Sequence, residues 1–165
     1  QESGSILDQK VHICADSFTP TDADSIPTGE IRPVEGTPMD FRQWKEIGKE
    51  IGSDYDQLVM AAGYDHNWVI AGWDQTLRLA AEACCEESGI RVEVYTDRPG
   101  VQFYTGNYID GTMPGKNGAV YGKRAGYCFE TQYYPDALNH PEFPQPVLPE
   151  GKEYRAETVY RFLIE

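Results

Sequence analysis

The sequence predicts an all-β protein, an antiparallel sandwich, and three observations predict it. Short runs alternate apolar with polar residues at period two, glycine and proline punctuate the gaps between them, and helical periodicity is nearly absent. The surest strand is IRVEVYT at 90–96, which alternates cleanly. Residues 77–83, LRLAAEA, would suit a strand or a helix alone, but the turn EESG at 86–89 joins them to the 90–96 strand. The pair therefore reads as a β-hairpin. Further strands are expected at 11–15, 101–104, 126–131 and 154–162. The one stretch with helical character is DFRQWKEIG at 40–48, a short helix or a loop with one turn, since Gly48 and Gly52 weaken anything longer. Residues 135–149 carry prolines at 135, 141, 144, 146 and 149, each unable to donate to a ladder, so this segment is expected to wrap over the sheets.

At 165 residues the chain suits one domain. Asp and Glu number 27 against 14 Lys and Arg, and the net charge of −13 repels nucleic acid and anionic membranes, so neither is expected as a partner. A neutral ligand fits that charge best, and a phosphorylated one would need an Arg and Lys cluster the motifs lack. No apolar run is long enough to span a bilayer. The N-terminal residues have neither the basic nor the apolar region of a signal peptide, and with no initiator Met the chain reads as a processed or truncated product. The four cysteines, Cys14, Cys84, Cys85 and Cys128, show no metal-ligand spacing and are expected as buried free thiols. That points to a cytoplasmic setting, with a periplasmic or secreted one open if a signal was removed.

Three segments mix carboxylates, amides and aromatic rings beyond what packing requires: GYDHNW at 63–68, the run 98–111 with Gln102 at its centre, and the run beginning at Glu130. A sugar site needs that mixture, because hydroxyls demand donors and acceptors while aromatic faces cover the apolar side of a ring. Each residue also has a plainer reading. Asp65 can cap a turn. His66 can be a satisfied structural histidine. Gln102 faces away from Val101 and Phe103 and means nothing if that face is only solvated. Glu130, after the run Tyr127–Cys128–Phe129, is either exposed or held for a reason. Packing is the expected role for most of Tyr64, Trp68, Phe103 and Tyr104.

These segments resemble the signature blocks of the galactose mutarotase (aldose 1-epimerase) family, in its order and at about its spacing. The matching pieces are GYDHNW at 63–68, RPGVQFYTGNYIDG at 98–111 and ETQYYPDALNHPEFP at 130–144, with KVHICADSFTPTDADSIPTGEI at 10–31 resembling the segment that leads to the family's IPTG turn. The resemblance implies a galactose mutarotase-like supersandwich of which this chain is the C-terminal half. It implies interconversion of the α and β anomers of a free aldohexose, with no cofactor and no metal. Glu130 would be the general base on the C1 hydroxyl, while Asp65 and Gln102 would bind the sugar. The family's histidine acid lies upstream in an Asn-His and a His-x-Tyr/Phe-Asn-Leu context, and neither pattern occurs here. His12, His66 and His140 stand in other contexts. The N-terminal half is therefore expected as a separate partner chain carrying the acid. A carbohydrate-binding module without proton transfer is the alternative, and a glycosidase pairing Asp65 with Glu130 a more distant one.

Overall fold

The computed structural model describes residues 5–164. Ten strands run through it: β1 (Lys10–Ile13), β2 (Ala15–Thr19), β3 (Arg32–Pro33), β4 (Lys45–Glu46), β5 (Asp65–Ile70), β6 (Arg78–Cys85), β7 (Ile90–Thr96), β8 (Gly100–Tyr104), β9 (Cys128–Gln132) and β10 (Thr158–Ile164). They form two five-stranded sheets, ordered β10-β7-β6-β1-β4 and β3-β2-β5-β8-β9. Every pairing between these strands is antiparallel. The expected hairpin is present as β6–β7, closed by a turn in which the Gly89 amide donates to the Cys85 carbonyl at 2.9 Å.

The chain changes sheets between β1 and β2 with only Cys14 between them, and a register shift at Ala15/Ser17 accompanies the change. This places Val11 and Ile13 against Phe18 and Ile70 in a single core shared by the two sheets. Period-two alternation decides which side chains enter it. His66, Trp68, Val101, Phe103 and Phe129 of the second sheet face inward, opposite Ala81, Ala83 and Val94 of the first. Phe103 stacks on Phe129 with centroids 5.2 Å apart, and Phe41 meets Tyr64 edge-on at 5.0 Å. The polar tips of the buried rings are satisfied by one loop: Trp68 Nε1 donates to the Met39 carbonyl at 3.0 Å and Tyr64 Oη to that of Pro38 at 3.1 Å.

Of the two forms expected for residues 40–48, the loop with one turn is the one found. These residues hold β4 and run into a single 3-10 turn at Ile47–Lys49, while the one α-helix among the described residues is α1 (Asp56–Met60). The reason is burial: Phe41, Lys45 and Ile47 are needed in the core and on the edge of β1, and a helix would bury a different set. The proline-dense segment does wrap over a sheet. Its Ala137 and Phe143, with Tyr134 just before it, pack on Val69 on the outer face of the second sheet. The cysteines are free, as expected, yet Cys14, Cys84 and Cys85 are half-buried and Cys128 is exposed, because strand alternation puts Cys128 on the face away from the core. No helix among the described residues is long and apolar enough to cross a membrane.

Candidate functional site on the outer face of the second sheet

Strand register gathers the candidates. On the face away from the core, Asn67 of β5 stands opposite Gln102 of β8, and Gln102 stands opposite Glu130 of β9. One step along, Asp65 is opposite Tyr104, and Tyr104 is opposite Cys128. Residues scattered over 65 positions of sequence thus become a polar patch two rows deep.

Gln102 Nε2 donates to Asp65 Oδ1 at 2.8 Å. Asp65 is therefore no turn cap but the first residue of β5, its carboxylate engaged across the strands. Burial pushes its pKa up, and the Gln102 donor only partly opposes that shift. Glu130 is exposed on the outermost strand of its sheet, and no hydrogen bond or ion pair reaches it from the described residues. β10 of the other sheet meets this strand through Tyr160 Oη, which donates to the Phe129 carbonyl at 2.7 Å, and leaves the Glu130 carboxylate exposed, with lone pairs that can accept a proton.

What sets the entry angle of β5 is Gly63, at φ +141°. A Cβ there would lie 2.5 Å from Asn107 Oδ1 and 2.3 Å from Arg124 Nη1. Arg124 donates from Nη1 to Asn107 Oδ1 and to Thr105 Oγ1 at 3.0 Å, and from Nη2 to the Ala62 carbonyl at 2.6 Å. Asn107 Nδ2 in turn donates to the Ala61 and Tyr64 carbonyls at 2.9 and 3.0 Å. The first two motif segments are thus locked together by satisfied hydrogen bonds, and only a residue without a side chain leaves room for them.

None of the three histidines accompanies Glu130 in its row. His12 lies on the other sheet with Nδ1 3.1 Å from Glu82 Oε2. His140 is in the proline-dense segment with Nε2 3.2 Å from the Pro27 carbonyl. His66 is on the opposite face from its neighbour Asp65, fully buried, and edge-on to Phe18 and Trp68. The expectation of a structural histidine holds for His66, but not that it is satisfied. Nδ1 accepts from the Asp65 amide at 3.2 Å, while Nε2 has no partner among the described residues. Burial lowers its pKa to about 4, so it is neutral at pH 7.

The family model for aldose 1-epimerase matches residues 1–161. The chain belongs to the aldose 1-epimerase family. It is 46% identical over 164 residues to human galactose mutarotase, covering 99% of this chain and 46% of that protein. It is 36% identical over 166 residues to the aldose 1-epimerase of Escherichia coli (strain K12), covering 99% and 47%. Among solved structures, a GalM/aldose epimerase homologue from C. elegans superposes with a TM-score of 0.83 at 29% identity, over 97% of this chain and 47% of that one. A galactose 1-epimerase from Lactobacillus acidophilus superposes with a TM-score of 0.74 at 23% identity, over 97% and 45%, which supports the fold. The chain spans about half the length of the relatives it matches.

In this member of the family the structure brings Asp65, Gln102 and Glu130 onto one face. It adds two side chains the sequence reading passed over. Asn67 lies two residues beyond Asp65 and Gln132 two beyond Glu130, both on the same outer face, and counting by twos along the two strands would have found them.

Proposed function

We propose that this chain supplies the base and the sugar-holding residues of an aldose 1-epimerase acting on a free aldohexose such as galactose or glucose. The observation that carries this is the outer-face patch in which the Asp65–Gln102 pair stands beside an exposed Glu130 that has no partner among the described residues. Asp65 and Gln102 hold ring hydroxyls, one accepting and the other donating. Glu130 takes the proton from the C1 hydroxyl while an acid delivers a proton to the ring oxygen, and the C1–O bond of the ring opens to the aldehyde. After rotation about C1–C2 the steps reverse and the other anomer closes. Neither proton transfer calls for a cofactor.

The acid comes from outside this chain, from a segment corresponding to the half of the relatives' length that the match does not cover. Three features support this. His12 and His140 are engaged away from Glu130, and His66 is buried on the opposite face of the sheet. Glu130 sits on an outermost strand, where a neighbouring element can bring a proton donor beside it. The outermost strand of the other sheet, β10, leaves Phe162 72% and Ile164 89% exposed. Phe162 pairs with Val92 and Val92 with Ala83, a row that belongs to the core side of its sheet, so this side continues past the last strand of the sheet opposite. The N-terminal half of the same protein, as a partner chain in a sample of this one, is the element that would cover it.

The test follows the optical rotation of freshly dissolved α-D-galactose and α-D-glucose with the full-length protein and its Glu130→Gln variant. Acceleration that disappears in the variant supports the reading. Sugar binding without acceleration in the unaltered protein would instead favour a binding module, a reading the lack of a histidine beside Glu130 keeps in play for this chain alone. Size-exclusion with denaturing mass analysis tests the partner, and a soluble, monodisperse 18.6 kDa monomer would remove it.

A further inference from the structure

The polar face holds more than the three candidate residues. Gln132 Nε2 donates both to Gln102 Oε1 at 3.1 Å and to Asn67 Oδ1 at 3.3 Å. Asn67 Nδ2 lies 3.5 Å from Thr19 Oγ1. With the Gln102–Asp65 bond this makes one connected chain of side chains over β2, β5, β8 and β9.

Its polarity follows from one group. An ionised Asp65 carboxylate only accepts, so Gln102 must turn its NH2 toward it. Gln102 then presents its oxygen to Gln132, which must answer with its own NH2. That same NH2 meets the oxygen of Asn67, whose NH2 is left facing Thr19. Each amide has one orientation in which no two oxygens or two NH2 groups oppose each other, and it is the one observed.

The backbone makes room for it. Gln132 stands opposite Gly100 of β8, and Gly100 opposite Val69 of β5. A Cβ on Gly100 would lie 2.2 Å from Asn67 Oδ1 and 3.1 Å from Tyr134 Cδ1. Because Gly100 has no side chain, the Asn67 amide reaches across β8 to Gln132, beneath the ring that begins the proline-dense cover. Asn67 is 1% exposed, so its contacts are made where water does not compete.

We infer that Gln132, backed by Asn67 over Gly100, is a positioning residue that holds the Gln102 amide in the orientation needed to engage Asp65 and a sugar hydroxyl together. This rests on the sugar-binding reading of Gln102 and Asp65. Gln132 touches no reacting atom in this account. It acts by removing freedom from a side chain that would otherwise have to be ordered each time a ligand binds, a cost that corresponds to a severalfold loss of affinity per long side chain.

The experiment is a double-mutant cycle in the full-length protein, pairing Gln132→Met with Gln102→Ala. The readouts are KM for galactose by polarimetry and Kd for galactose by titration calorimetry, the second needing no turnover. Gln132→Met is expected to raise both about fivefold with kcat within about twofold. In the Gln102→Ala background the same substitution is expected to change them by less than about twofold, because the residue it acts through is gone. A single variant with unaltered KM and Kd, or an effect of the same size in both backgrounds, would overturn the proposal. If Gln132→Met does not fold, the cycle is repeated with Gln132→Glu, which keeps length and polarity but removes both donors. Failure of the epimerase reading looks different: Glu130→Gln would retain full kcat, or no acceleration would be seen at all, while the Kd cycle still reports on Gln132.

Discussion

Each sheet carries a polar row across its outer face, and the two rows are built on opposite principles. On the first sheet His12, Glu82, Glu93 and Arg161 stand in register on β1, β6, β7 and β10. Two carboxylates directly opposite each other would destabilise the pairing. Here each meets a cation: Glu82 faces Arg91, with His12 Nδ1 3.1 Å away, and Glu93 faces Arg161 at 3.4 Å and Arg91 at 3.8 Å, with Tyr95 Oη donating to it at 2.9 Å. On the second sheet the row is Thr19, Asn67, Gln102 and Glu130, and no cation is paired with Asp65 or Glu130 among the described residues. The difference teaches that the two sheets hold their carboxylates in different ways. Glu82 and Glu93 are surrounded by counter-charges, whereas Glu130 keeps its lone pairs open and Asp65 is steadied by the neutral Gln102 amide, which fixes geometry without consuming the charge, as the proposed sugar site would require.

The comparison can be broken at several points. The largest effect is expected on catalysis: Glu130→Gln should lower kcat by about 100- to 10,000-fold in polarimetry. It should leave the urea midpoint unchanged, since Glu130 holds nothing in place. Arg91→Met on the other sheet should do the reverse. Leaving Glu82, itself 6% exposed, without its Arg partner should cost on the order of 3 kcal/mol in urea unfolding with kcat preserved. A midpoint drop for Glu130→Gln, or none for Arg91→Met, would erase the distinction.

His66 makes stability depend on pH. His66 has a folded pKa of about 4, below the ordinary 6.5, so the unfolded chain takes up the proton first as pH falls. Stability is therefore undiminished by His66 above about 6.5 and declines as pH drops from there to about 4, by roughly 3 kcal/mol in all. His66→Phe should flatten that part of the urea stability profile between pH 6.5 and 4. The smallest effect is at Asp65. Its folded pKa is raised, so burial of the charged form costs stability at neutral pH, and the cost fades as pH falls through the folded pKa toward the unfolded one. Asp65→Asn should then unfold at slightly higher urea at pH 7 while losing sugar affinity by calorimetry, a loss of function without a loss of stability.

Much of this was legible beforehand where local patterns agree with tertiary need. The strand at 90–96 alternates because one of its faces is core, and the turn at 86–89 has the glycine its geometry demands at φ +65°. Gln102 was placed away from Val101 and Phe103 by counting alone, and the structure puts it there. What local pattern leaves open, packing decides. Of the two readings open at 40–48, the loop with one turn is the one found, since Lys45 pairs with Val11 at a sheet edge and Phe41 packs in the core. For His66 the satisfied reading fails, because nothing local reveals that its Nε2 lacks a partner among the described residues.

The sequence by itself determined the family, the all-β class and the identity of Asp65, Gln102 and Glu130 as candidates, since periodicity and motif content are properties of neighbouring residues. Only the tertiary structure decided that these three share one face, that Asn67 and Gln132 join them, and that the histidines do not. Those facts depend on strand register, which is set by the pairing of β8 with β5 on one side and β9 on the other. It also depends on the one position, Gly100, where the absence of a side chain lets two strands' amides meet across a third.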